Sequence, residues 1–214
     1  MKEDLQSYIE EHIIPLYDGF DRGHDRSHVQ MVIDQSLQLA RQQGVREDIA
    51  YTIAAYHDTG LCEGREYHHE ASARILRADS RLRQWFTEDE IALMADAAED
   101  HRASSDHAPR TIYGRIVAEA DRTIDPETII HRTVLYGLEH YPALSREEHF
   151  RRMVAHLHEK YGPDGYLRLW FPDSPNTTRL EQLRQMMQDT ALLRRLFTRF
   201  YHPNRTFTDI SPSF

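Results

Sequence analysis

Apolar residues along the chain recur every three to four positions, and no convincing stretch alternates in the manner of a β-strand. This period predicts an all-α fold of seven to nine helices. Thr87 followed by Glu90 marks one helix start, and Pro126 in a first turn marks another. The predicted helices cover residues 3–17, 27–41, 46–57, 69–79, 88–101, 110–121, 126–140, 145–160 and 176–201.

The helix over residues 46–57 is apolar on nearly every side, which predicts that it lies deep in the core. It nevertheless ends in two ionisable residues, His57 and Asp58. Burying an imidazole and a carboxylate together costs free energy unless they are compensated by each other, by a hydrogen-bond network or by a cation. The simplest alternative to a cation is a hydrogen-bonded His–Asp pair that closes the helix.

Two more ionisable residues fall on inward faces of predicted helices. His28 shares the apolar stripe of its helix with Val32, and Asp121 lies on the same face as Val117. Imidazoles and carboxylates that project inward from several helices can converge on one cation, and mixed nitrogen and oxygen ligands suit Mn, Fe, Ni, Co or Zn. The candidate metal ligands are therefore His28, His57, Asp58 and Asp121.

Composition limits the classes of function. The chain has 214 residues and a formal net charge of -9, which argues against a nonspecific nucleic-acid binder. Its single cysteine, Cys62, excludes an intrachain disulfide and fits a reducing compartment. No signal peptide and no apolar run of membrane-spanning length is apparent. These features predict a cytoplasmic protein with no membrane association.

The ordered set "RSHVQMV", "AAYHDTGL" and "AEADRTI" resembles the HD-domain superfamily of metal-dependent phosphohydrolases, whose hallmark is His…His-Asp…Asp. The resemblance covers roughly residues 20–135. It implies an HD-domain helical bundle over residues 1–140 that carries the metal site, with residues 141–214 as a helical extension packed on it. Mg is expected beside Mn, Fe, Ni, Co and Zn as a candidate metal, with one site that binds and a possible second.

The same resemblance implies roles for residues after the dipeptide. His69, which opens "HEASA", and His101, at the end of "AAEDHRAS", are expected as catalytic residues that bind a second metal or contact phosphate, with His68 as the alternative to His69. Many members continue the dipeptide as "HDIGK", whereas this chain has Leu61 in place of the lysine. Arg65, in the same loop, is expected to take over the phosphate contact.

The resemblance implies hydrolysis of a nucleotide or another small phosphate ester or anhydride by a metal-activated water. Asp58 is expected both to bind the metal and to orient that water. Arginines that flank the site, Arg22, Arg65 and Arg102, are expected to bind phosphate oxygens. A homodimer is also compatible with the sequence.

Two other classes of function stay open at this stage. One is a di-iron oxygenase on the same scaffold, which requires two irons. The other is a non-enzymatic module that senses a nucleotide or binds a partner through its C-terminal helices. The complete ligand set argues against the second class, because a sensor has no need of all four groups.

Overall fold

The computed structural model describes residues 2–21 and 23–203, and this part of the chain contains helices and no β-strand. The all-α fold predicted from the sequence is confirmed. The α-helices are α1 Glu3–His12, α2 Arg26–Gln43, α3 Glu47–Tyr56, α4 His68–Ala78, α5 Glu88–Glu99, α6 Ile112–Ala120, α7 Pro126–His140, α8 Arg146–Tyr161, α9 Pro175–Gln188 and α10 Thr190–Phe200. Three short 3₁₀ helices span Ile14–Gly19, Thr59–Glu63 and Ser80–Gln84.

The described residues contain ten α-helices rather than the seven to nine that we predicted. The additional helix arises within residues 176–201, which we predicted as one helix. Asp189 leaves the helical conformation, and its side chain accepts the backbone N–H of Leu192 at 2.9 Å. This N-cap starts α10 and separates it from α9. The first helix ends at His12 and not at residue 17 as predicted. Pro15 lacks an N–H, and it lies within the 3₁₀ helix Ile14–Gly19.

The chain divides into two units, Met1–Arg122 and Thr123–Phe214. The first unit is built around α3, in which every residue from Ile49 to Tyr56 is buried. Helices α2, α5 and α6 pack against it and enclose it. The second unit contains α7 to α10, so α7 belongs to this unit, whereas we had placed it with the N-terminal core.

The second unit has its own apolar core, in which α7 packs against α8, α9 and α10. Ile130, Leu157, Leu183 and Phe197 are among its buried residues. No helix of the described residues is long and apolar enough to cross a lipid bilayer. The tail over residues 205–214, which we predicted to be poorly ordered or docked as a strap, lies outside the described residues.

Gly60 brings the 3₁₀ helix Thr59–Glu63 into direct backbone contact with α4. A Cβ added at Gly60 would lie 2.5 Å from the backbone nitrogen of Ser72 and closer still to the carbonyl oxygen of His68. The Gly60 N–H also donates to the Ser72 hydroxyl at 2.9 Å. Because the obstructing atoms belong to the helix backbone, only glycine allows this approach.

We expect Gly60→Ala to lower the free energy of unfolding by about 3 kcal/mol, because the backbone of α4 must move to admit the methyl group. The matched control is Gly19→Ala, since a Cβ added at Gly19 meets nothing within 4 Å. Chemical denaturation of both variants measures the difference. Equal stability of the two variants would contradict this packing.

Candidate metal centre

The C-terminus of α3 is held by side chains in place of continued helical hydrogen bonds. The Nδ1 atom of His57 lies 2.7 Å from the carbonyl oxygen of Ala54. The buried Tyr17 hydroxyl donates to the carbonyl oxygen of Ala55 at 3.0 Å and accepts the backbone N–H of Asp58 at 3.3 Å. These bonds end the helix at the His–Asp dipeptide and fix the orientation of both side chains.

The four predicted metal ligands lie together, with one ligand atom from each within 4.8 Å of the others. His28 Nε2 is 3.3 Å from His57 Nε2, 3.5 Å from Asp58 Oδ2 and 3.2 Å from Asp121 Oδ1. His57 Nε2 is 3.1 Å from Asp58 Oδ2. We call these four residues the first cluster. Their convergence is what a single cation requires.

Helix termini place the other two members of the first cluster. Asp25 caps α2 by accepting the backbone N–H groups of Ser27 and His28 at 2.9 Å and 3.1 Å, so His28 lies in the first turn. Asp121 follows the last residue of α6. His57 is fully buried, whereas the Asp121 side chain is 25% exposed, so the first cluster is reached from the side of Asp121.

A second cluster contains Asp58, His68 and His101, and Asp58 therefore belongs to both. Asp58 Oδ1 is 3.5 Å from the Nε2 atoms of both histidines, while its Oδ2 faces the first cluster. The Nδ1 atom of His68 lies 2.8 Å from the carbonyl oxygen of Arg65, and that of His101 lies 2.6 Å from the carbonyl oxygen of Ala98.

These carbonyl contacts set the tautomers of the histidines. A carbonyl oxygen only accepts, so His57, His68 and His101 must each carry a proton on Nδ1, which leaves an Nε2 lone pair on the neutral ring. The Nε2 atoms of His68 and His101 are 3.1 Å apart. Two lone pairs at that distance repel each other unless a proton or a metal cation lies between them.

The charge of the carboxylates controls the pKa values in the first cluster. Burial disfavours the charged form of His28, but the nearby Asp121 and Asp58 outweigh it and raise the pKa of His28 to about 9. Burial also opposes ionisation of Asp58, yet its histidine neighbours, His57 first, hold the pKa of Asp58 well below its usual range. Without a metal ion, the first cluster therefore contains a protonated, cationic His28 near pH 7.

His68 behaves differently because it faces other histidines. Burial and the neighbouring His101 lower the pKa of His68 to about 4, so its imidazole is neutral near pH 7. A neutral imidazole whose Nδ1 is engaged by a carbonyl is the form that binds a metal.

The environment of one buried oxygen atom shows whether these residues fit a metal ion. Asp58 Oδ2 is buried and lacks a hydrogen-bond partner within the described structure. An unpaired buried carboxylate oxygen costs free energy, and a cation at the first cluster would compensate it. The residues present therefore fit a divalent cation held by two imidazoles and two carboxylates, with Asp58 positioned to bridge to a second one.

The structure brings His68, rather than His69, into the second cluster, and a phosphate contact by His69 stays a prediction. Helix α4 begins at His68, and it is His68 that meets His101 and Asp58. Successive helical residues point about 100° apart, so the next residue cannot share this direction. His69 Nε2 instead lies 3.9 Å from Glu70. His101 also belongs to the second cluster, and its catalytic role stays a prediction.

Two of the predicted phosphate-binding arginines, Arg65 and Arg102, can be located in the described residues. Arg65 is 71% exposed and pairs with Asp21 at 3.0 Å. Arg102 donates to the carbonyl oxygen of Glu66 at 2.7 Å and lines a pocket beside α4. Arg22 lies outside the described residues. Their roles toward phosphate stay predictions.

Sequence reasoning missed Tyr17 as a support of the dipeptide. It precedes His57 by 40 positions in a turn-rich segment, and no period or motif links the two. The only hint in the sequence was the residue type, because a tyrosine has both an apolar ring and a polar hydroxyl. Tyr17 is fully buried in the structure, and its hydroxyl therefore needs a hydrogen-bond partner.

Comparison with protein-family models matches residues 26–124 to the HD domain. Comparisons with curated proteins and with solved structures gave no significant match. The matched segment begins at α2 and ends after Asp121, and it contains both clusters. The chain therefore carries an HD domain over these residues.

We expect His68→Ala to remove one bound cation per chain after loading with Mn²⁺, because His68 belongs to the second cluster alone. The matched variant His69→Ala should leave the metal content unchanged, since His69 is in neither cluster. Elemental analysis of the gel-filtered proteins measures both. Loss of metal in the His69 variant with none in the His68 variant would contradict the assignment.

Proposed function

We propose that the protein is a metal-dependent phosphohydrolase that acts on a nucleotide or another small phosphate ester or anhydride. The observation that carries the proposal is the position of Asp58, which presents one carboxylate oxygen to each of two ligand clusters. The HD domain matched over residues 26–124 supports the reaction class. The substrate and the cytoplasmic location expected from the sequence belong to the same proposal.

In this proposal the first cluster would hold the catalytic cation, and the second cluster would hold another. A divalent ion of the Mn-to-Zn series, or Mg, would lower the pKa of a coordinated water and neutralise charge on a phosphoryl group. The mixed imidazole and carboxylate set suits such an ion better than it suits calcium, which prefers oxygen ligands alone.

The protein residues supply position and charge. Fixed Nδ1 contacts orient the imidazoles, and Tyr17 fixes the backbone of Asp58, so little reorganisation is needed during the reaction. Asp58, between the clusters, orients the attacking water. The water oxygen gives up a proton and forms a bond to phosphorus, and the bond from phosphorus to the leaving oxygen breaks. The leaving oxygen takes up a proton, so that water supplies both the new P–O bond and, in net terms, this proton.

The pair of carboxylate-linked clusters also makes a di-iron oxygenase the second candidate. Both activities need the same ligands, so the reaction itself discriminates between them. Phosphate release without oxygen consumption supports the phosphohydrolase, whereas oxygen consumption by the iron-loaded protein supports the alternative. The non-enzymatic module gains no support from the geometry, because all the metal-binding groups are present and oriented.

We expect Asp58→Ala to abolish bound metal and to lower phosphatase activity at least about a hundredfold, because both clusters lose their shared carboxylate. Asp58→Asn keeps the shape of the side chain and removes its charge. We expect a similar loss of activity in this variant, which would show that the charge is required. The exposed Asp164 provides the control variant Asp164→Ala, with wild-type metal content and activity expected. Metal content, phosphate release and circular dichroism are measured on each protein. Full activity in a folded Asp58→Ala variant would refute the mechanism.

A further inference from the structure

A pocket of about 290 Å³ lies beside the second cluster, between the start of α4 and the loop that follows α5. Two of its lining residues, His69 and Arg102, are the chain neighbours of His68 and His101. The rings of His68 and His69 have centroids 5.7 Å apart. The pocket is therefore adjacent to the second cluster both at the start of α4 and in the loop after α5.

One part of the lining favours an anion. Arg102 is a permanent cation, and the N-terminus of α4 has no side-chain cap on its free backbone N–H groups. The Nδ1 atom of His69 is buried and finds no hydrogen-bond partner among the described residues. These groups lie next to the ligand clusters, where a phosphoryl group would be held.

The remainder of the lining favours hydroxyl groups. Ser104 and Ser105 provide hydroxyls that both donate and accept, and the carboxylates of Glu70 and Asp106 are strong acceptors. The third carboxylate of the lining, Glu99, already accepts a hydrogen bond from the Arg110 guanidinium at 3.0 Å. The only rings among the residues that line the pocket are imidazoles, so the pocket offers no Phe, Tyr or Trp side chain on which a nucleobase could stack.

We propose that this pocket recognises the hydroxyl-bearing part of the substrate, so that the preferred substrate is a phosphomonoester of a small sugar or polyol. Carboxylates and serines pair with successive hydroxyls, and a site built to bind hydroxyls discriminates strongly against analogues that lack them. The carboxylates of Glu70 and Asp106 also repel a second or third phosphate, which disfavours nucleoside di- and triphosphates.

This inference deepens the proposed phosphohydrolase function and rests on it for the identity of the anion. Asp106 is its most direct probe, because it is exposed and belongs to neither ligand cluster. The test therefore measures binding as well as turnover, so that a failure of the chemistry and a failure of the pocket give different results.

In the experiment, ribose 5-phosphate is titrated calorimetrically into the Mn²⁺-loaded wild-type protein, Asp106→Asn and the control Asp164→Asn. p-Nitrophenyl phosphate, which has no hydroxyls, serves as the comparison ligand, and adenosine triphosphate as the polyphosphate. Phosphate release from each compound is measured in parallel.

We expect Asp106→Asn to weaken ribose 5-phosphate binding about tenfold while leaving p-nitrophenyl phosphate binding and the Asp164→Asn control unchanged. Ribose 5-phosphate should also exceed both other compounds in kcat/KM. Equal binding of ribose 5-phosphate by wild type and Asp106→Asn, or a preference for adenosine triphosphate, overturns the inference. Selective binding without any phosphate release supports the pocket and refutes the proposed reaction.

Discussion

The carboxylate of Asp58 is the group on which the rest of the site depends. It is buried, its Oδ2 has no hydrogen-bond partner within the described residues, and imidazole nitrogens of both clusters surround it. A buried charge in this state is stable only if positive charge lies beside it. Without metal, protonated His28 supplies this positive charge. Burial lowers the pKa of His28, but Asp121 and Asp58 outweigh burial and raise it to about 9. A divalent cation supplies a larger positive charge.

Backbone geometry makes this arrangement durable. The helix that carries the dipeptide ends because His57 and Tyr17 take the carbonyl groups that another turn would have used. Gly60 then lets the following 3₁₀ helix touch α4, which places His68 opposite His101. Elements distant in sequence thus fix the ligands before any ion arrives, and preorganised ligands reduce the cost of binding.

The sequence was sufficient to predict the all-α class and the first cluster. Strongly periodic helices fix which residues face the core, and ionisable residues on those faces need partners there. It could not decide between His68 and His69, since a one-residue shift in a helix start changes which side chain points inward. The sequence did not reveal the helix break at Asp189, because the residues on both sides of it have the apolar period of a helix. Tyr17 was hidden because its hydrogen bonds depend on tertiary packing, which leaves no local pattern.

The central claim is that Asp58 joins two cation sites, and anomalous X-ray scattering from crystals grown with Mn²⁺ tests it most directly. The account predicts one manganese peak bounded by His28, His57, Asp58 and Asp121. It predicts a second on the other oxygen of Asp58, with both peaks within about 2.3 Å of their ligands. Absence of any peak at bonding distance from Asp58 would contradict it.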